Sequence, residues 1–197
     1  MKITDYPSYK VLADLIAQNG NTKCLYFLTA KSGTGKDTMA DMLNELLGLR
    51  KVKSVTTRAR RYPTEDVYYY ISDEEYDNAD LVQHASFSGC RYGATLDEVN
   101  ASQLFVICPE GMPELVEKYH ERPIVVLYLD STDSTRRARM KARGDSDESI
   151  QKRIEHDATS FGTIPDALPV TVIDANKEKD AVLRAILDAM VFYETSN

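Results

Sequence analysis

The segment from Cys24 to Leu47 constrains this chain more than any other. Residues 24–29 (CLYFLT) form an unbroken apolar run, the pattern of a strand buried on both faces. Ala30, Lys31, Ser32, Gly33, Thr34, Gly35, Lys36, Asp37 and Thr38 follow. From residue 37 to 47, Met39, Met42, Leu43, Leu46 and Leu47 recur at helical spacing, and Gly48 then stops the helix. A buried strand, a glycine-bearing loop and a helix in direct succession are the context that a phosphate-binding loop requires. Gly33 and Gly35 let backbone N–H groups turn inward as an anion nest. The helix N-terminus adds partial positive charge, and Lys36 reaches outward as a point charge. Ser32, Gly33, Thr34, Gly35, Lys36, Asp37 and Thr38 are therefore the candidate phosphate contacts. Two positions depart from GxxxxGK[ST]. Ala30 stands for the first glycine, and Asp37 for the Ser/Thr, with Thr38 one place later. A carboxylate here repels phosphate unless it faces a cation. Asp37 is read either as orienting a magnesium shell, directly or through water, or as a helix cap.

The remaining chain alternates short apolar runs with helical patterns. A helix is predicted over 8–18 and strands over 104–108, 124–129 and 170–173. Further helices are predicted over 113–119, 132–143, 147–160 and 179–193. Such alternation implies an α/β fold with a parallel sheet and right-handed crossovers. Residues 51–99 read differently, with strand-like pieces at 52–57 and 67–71, an acidic stretch at 73–80, and turn signals at Ser88-Gly89 and Tyr92-Gly93. This is the pattern of a small inserted subdomain. One of Tyr69 and Tyr70 is expected in its core, and Phe87 is expected to be buried. His84 and His120 are read as structural or exposed, and His156 is given no role.

Charge sharpens the reading. The chain has 197 residues and a net charge of −7, from 24 basic and 31 acidic residues. Residues 50–61 hold six basic side chains and no acid, and residues 136–143 hold five and no acid. That leaves 13 basic residues against all 31 acidic ones elsewhere. Two basic clusters in an acidic protein suit a small, highly charged anion, and the acidic remainder argues against nucleic acid as a partner. By itself, the second cluster reads more simply as a solvated helix face. No apolar run approaches the roughly 20 residues that span a bilayer. Cys24, Cys90 and Cys108, three with no CxxC pair, suit a reducing cytoplasm. Residues 1–10 lack the apolar core of a secretory signal.

Ser54-Val55-Thr56-Thr57-Arg58-Ala59-Arg60-Arg61 follows the phosphate loop, and Tyr68-Tyr69-Tyr70 comes next. Phe87-Ser88-Gly89-Cys90-Arg91-Tyr92-Gly93 lies further on. With Arg143-Gly144 and Ser149-Ile150-Gln151-Lys152-Arg153, these segments resemble the guanylate kinase family from about Cys24 onward, in order and spacing. The resemblance implies a P-loop three-layer α/β/α fold with a central parallel sheet, an inserted monophosphate-binding subdomain and a helical lid. It places the core at 22–53, 98–131 and 162–197, the acceptor-binding subdomain at 54–97 and the lid at 132–161. Residues 1–21 form an N-terminal helical extension with no counterpart. The resemblance further implies ATP and Mg2+ as the donor pair. Arg58 and Arg61 would grip an acceptor monophosphate, with Tyr68 and Tyr92 donating to it and Ser54 touching the base. Arg139, Arg143 and Arg153 would close over the donor's phosphates, and Lys36 completes the catalytic set. Arginine forks and phenols suit a dianionic phosphate in any case.

The departures cluster at the base. Gln83 stands where the family has a carboxylate, Ala94 where it has serine, and Val106 and Cys108 where it has aspartates, if Gly111 is its glycine. Glu110 offers a carboxylate from a shifted position. Glutamine offers one acceptor and one donor pair, so it does not match two base donors as a carboxylate does. Arg60 replaces a proline. The expected reaction is phosphoryl transfer from ATP to a nucleoside monophosphate, with GMP or dGMP the leading acceptor. Another nucleoside monophosphate or a ribose bisphosphate is an alternative acceptor. A catalytically inactive module that binds phosphorylated peptides is the alternative class, although such modules usually lose the loop lysine kept here as Lys36. No membrane or nucleic-acid partner is expected, and the sequence names no protein partner.

Overall fold

The computed structural model describes residues 2–87, 89–161, 164 and 168–196. Ser88 of the predicted turn and part of the expected 162–197 core segment lie outside them. The elements run α1 (Pro7–Asn19), β1 (Leu25–Ala30), α2 (Lys36–Leu47), β2 (Val55–Thr56), β3 (Tyr69–Tyr70), α3 (Asp73–Asp77), β4 (Gln83–Phe87) and β5 (Cys90–Ala94). They continue as α4 (Leu96–Asn100), β6 (Leu104–Val106), α5 (Met112–Lys118), β7 (Ile124–Asp130), α6 (Asp133–Ala142), α7 (Asp147–Ser160), β8 (Val170–Asp174) and α8 (Lys179–Thr195).

The main sheet has the order β6-β1-β7-β8, and every neighbouring pair is parallel. All six residues of β1 are buried, because helices cover both faces. Tyr26 and Leu28 point to one side, into a core shared with Leu12 of α1, Met39 and Leu43 of α2, and Leu183 and Ile186 of α8. Leu25 and Phe27 point to the other side, where they meet Phe105, Met112, Leu115 and Val126. This is the three-layer α/β/α arrangement. Truncating a side chain such as Leu28 to Ala removes about 2–5 kcal/mol of stability. The N-terminal helix is part of this core. Leu12 is fully buried, and the Tyr6 hydroxyl donates to Asp188 of α8 at 2.7 Å, with Ser8 donating to the same carboxylate.

The order β1–loop–α2 aims the loop at the C-terminal edge of the sheet, where open α/β proteins bind ligands. Two excursions flank that edge. The first is a mixed sheet, β3-β2-β5-β4, over a small core of Val55, Tyr76 and Leu81. The second is the α6–α7 pair, joined by Met140, Ile150 and Ile154.

Four expectations are corrected here. Tyr92-Gly93 is not a turn but the middle of β5. Its glycine is a close-packing residue, since a Cβ there would lie 2.5 Å from Leu81 Cδ1. Neither Tyr69 nor Tyr70 joins the subdomain core: they lie on β3, the edge strand of the small sheet, where Tyr69 is exposed and Tyr70 half-buried. Phe87 lies at the exposed tip of the β4–β5 hairpin, with its ring 5.1 Å from that of His156 on α7. The 136–143 cluster is not a uniformly solvated face, for Arg136 is 2% exposed.

Candidate active site

The phosphate loop spans the gap between β1 and α2. Gly33 and Gly35 have φ of +80° and +107°, the left-handed region in which a Cβ is strained. Gly33 is also pinned from outside, since a Cβ there would meet the Arg136 carbonyl oxygen at 2.8 Å. The buried Thr34 hydroxyl is 3.0 Å from that of Ser131, just past β7. Lys36 opens α2, with Nζ 3.3 Å from an Asp37 oxygen, and Asp37 and Thr38 are exposed.

The lid side presents its arginines unequally. Arg139 donates from Nη1 to the Thr34 carbonyl at 2.9 Å, inside the loop. Arg143 is forked onto Asp145, at 3.1 and 2.5 Å. Arg153 is half-buried on α7 and, with Phe87 and His156, lines a cleft of about 540 Å³ between lid and hairpin.

The acceptor side is organised by a residue that sequence reasoning missed. Glu65 is 3% exposed and accepts from both Arg58 guanidinium nitrogens, at 2.9 and 3.3 Å, and from the Arg61 backbone N–H at 2.7 Å. The Arg58 hydrogen bonds, with help from the Arg61 N–H, hold its carboxyl down to about 2. They raise Arg58 in return. The guanidinium stands 5.5 Å from the Tyr68 ring and 5.6 Å from the Tyr70 ring, and Arg60 stacks on Tyr70 at 4.5 Å. Tyr68 and Tyr92 meet at 5.6 Å. Burial pushes the Tyr68 hydroxyl up to about 12, and the Tyr92, Asp37, Arg58 and Arg61 charges all act on it. The acidic pair Glu65-Asp66, close behind three arginines, was the available signal for Glu65.

Of the positions expected to touch a base, Ser54 accepts at its carbonyl from the Tyr69 N–H at 2.9 Å. Gln83 is 4% exposed and lies across from Ala94 on β5. Its Nε2 lies 2.4 Å from where a Cβ on Gly111 would be, so glutamine and the Glu110-Gly111 turn face each other. Cys108 lies two residues past β6 and is exposed, and Lys36, Glu110, Asp157 and Asp37 act on its thiol.

Among the described residues, no group of three or more His, Cys, Asp or Glu is set to hold a metal ion. A magnesium ion bound largely by phosphates and water needs only one or two carboxylates, and the exposed Asp37 beside Lys36 fits that role. No described helix is long and apolar enough to cross a membrane.

A strand–glycine loop–helix unit at the edge of a parallel sheet, flanked by an arginine–tyrosine cluster and an arginine-bearing helix pair, defines a P-loop α/β protein. No family model matches the chain. A guanylate kinase of Fusobacterium nucleatum is 26% identical over 67% of this chain and 78% of its own length. One of Rhodopseudomonas palustris is 31% identical over 70% of each chain. The crystal structure of guanylate kinase from Anaplasma phagocytophilum has the same fold, with a TM-score of 0.62 at 19% identity, covering 90% of this chain and 89% of that one. The chain belongs to the guanylate kinase family.

Proposed function

We propose that this protein transfers the γ-phosphoryl group of ATP to a nucleoside 5′-monophosphate, with GMP or dGMP the leading acceptor. The observation that carries this reading is Arg58, forked onto the buried Glu65 and set beside the rings of Tyr68 and Tyr70, with Tyr92 against Tyr68. In phosphoryl transfer the protein mainly positions groups and neutralises charge. Ser32–Thr38 would cradle the donor phosphates, and Lys36 would reach the outer ones. Arg58, prealigned by Glu65, and Arg61 would hold the acceptor phosphate, with Tyr68 and Tyr92 donating to it. One acceptor oxygen then attacks the γ-phosphorus in line. No dedicated base is required, because that oxygen is already an anion. Arg139, Arg143 and Arg153 would stabilise charge on the transferring group, and closure of the 132–161 lid would exclude water. Magnesium, held at Asp37 with the ATP phosphates and water, would supply further charge neutralisation.

A second reading of the acceptor rests on Gln83. Gln83 is 4% exposed and faces Gly111, and its amide suits a donor–acceptor edge rather than two donors. A site with unmatched polar groups rejects the wrong base strongly.

The test is a coupled assay with ATP and a panel of ribo- and deoxynucleoside monophosphates and ribose bisphosphates, run on the native protein and on Gln83→Glu. Turnover of GMP supports the leading reading. Gain of GMP activity only in the variant makes Gln83 the specificity switch. No turnover with any acceptor, together with no ATP binding by calorimetry, rejects the kinase in favour of a binding module.

A further inference from the structure

Three consecutive residues of the phosphate loop are held by the lid rather than by the loop's own helix. The buried Asp157 of α7 accepts from the Ser32 N–H at 2.8 Å and from the Ser32 hydroxyl at 3.2 Å. Gly33 lies under the Arg136 carbonyl, and the Thr34 carbonyl accepts from Arg139. Asp157 is itself neutralised by the buried Arg136, whose Nη1 donates to it at 2.6 Å and whose Nη2 donates to Asp133 at 2.8 Å. The carboxylate thus links α7, α6 and the loop at one point.

We propose that Asp157 is a positioning residue for the donor's phosphates, setting the shape of the phosphate loop from the lid side. A buried ion pair is an inefficient way to stabilise a fold, since apolar groups of similar volume serve as well or better. What the carboxylate does, and an apolar group would not, is accept the Ser32 N–H and hydroxyl together. Hydrogen bonds to a charged acceptor are the strong ones. One amide at the mouth of the loop is thereby committed to the lid, which fixes the orientation of the peptides that follow it. Those peptides form the anion nest. Arg136 keeps the extra negative charge from opposing the incoming triphosphate. Where α7 sits then governs how well the loop accepts ATP. The inference rests on the kinase reading for its ligand, but the loop geometry can be measured without any ligand.

The test compares wild type with Asp157→Leu/Arg136→Met, which removes both charges and keeps the volume, and with Asp157→Asn. Four quantities are read: melting temperature, ATP affinity by calorimetry without acceptor, acceptor KM, and amide hydrogen exchange of residues 31–35 in the ligand-free protein. The double variant is expected to melt within about 3 °C of wild type. Its loop amides should exchange at least about tenfold faster. Its ATP affinity should fall about tenfold while the acceptor KM moves less than about twofold. Asp157→Asn keeps an acceptor of the same size and should lose only about threefold in ATP affinity. Wild-type exchange and ATP affinity in the double variant would reduce Asp157 to a structural partner of Arg136. If the double variant does not fold, wild-type exchange and ATP affinity in Asp157→Asn overturn the proposal in the same way. If the native protein binds no ATP, the kinase reading falls, and the exchange measurement still decides the clamp.

Discussion

The two candidate anion sites are built on opposite plans. The acceptor side is local. Arg58, Arg61 and the carboxylate that aligns them, Glu65, lie within eight residues of one another. The surrounding sheet packs on a core of only three buried side chains. The donor side is long-range. Its loop is held by Asp157 at a separation of 125 residues, by Arg139 at 105 and by Ser131 at 97. A local site can be altered without disturbing the rest of the molecule. A site assembled from distant elements transmits a change in any one of them. The acceptor arginine is therefore expected to act as a separable part, whereas the phosphate loop and the lid act as a unit.

The sharpest way to break this contrast is at the loop. Lys36→Met should lower turnover on the order of 10³-fold with the fold intact, measured in the coupled assay beside a melting curve. Gly33→Ala should match that loss and also lower the melting temperature, because the added Cβ meets the Arg136 backbone. If Gly33→Ala melts like wild type, the loop and lid are not one unit.

Arg58→Ala should lower kcat/KM for the acceptor about 10²-fold, since a forked charge-assisted contact is lost. ATP affinity by calorimetry should stay within about twofold. A matching loss in ATP affinity would show that the acceptor side is not separable.

Glu65 gives a pH test. Its carboxyl is held down to about 2 in the folded protein, against 4.5 for the ordinary group. A lowered folded value means that its stabilising contribution is fully present above about pH 4.5 and is lost as the pH falls from there toward 2. Glu65→Gln should flatten the fall in melting temperature across that window and leave the slope above pH 5 unchanged. An unaltered profile would mean that the Arg58 pair does not couple to folding.

The smallest effect is expected where the two regions touch. Phe87→Ala removes the ring contact with His156. Aromatic pairs contribute about 0.5–1.5 kcal/mol, so the acceptor KM should rise about threefold with kcat nearly unchanged. A loss in kcat instead would mark the contact as part of lid closure.

Much of the site was legible because it is contiguous. The strand–loop–helix unit, the Arg58/Arg61 pair and the Tyr68/Tyr92 pair all follow from short spacings in one chain. The basic clusters were a coarser guide. Arg50, Lys51 and Lys53 pair with Glu98, Asp41 and Asp66 and serve the scaffold. Arg136 is buried against Asp157. The hairpin was misread at Tyr92-Gly93 because a glycine that allows close packing looks the same in sequence as one that turns the chain.

The sequence by itself determined the α/β class, the position of the phosphate loop and the segment that faces it. These depend on hydrophobic period and on glycine and charge spacing over a few residues, which local backbone physics translates directly. Only the tertiary structure decided that α1 completes the core, that Gln83 meets Gly111, and that Asp157 reaches Ser32. Those contacts join residues far apart in the chain. No local pattern specifies them, because they exist only once the burial of apolar faces has brought the elements together.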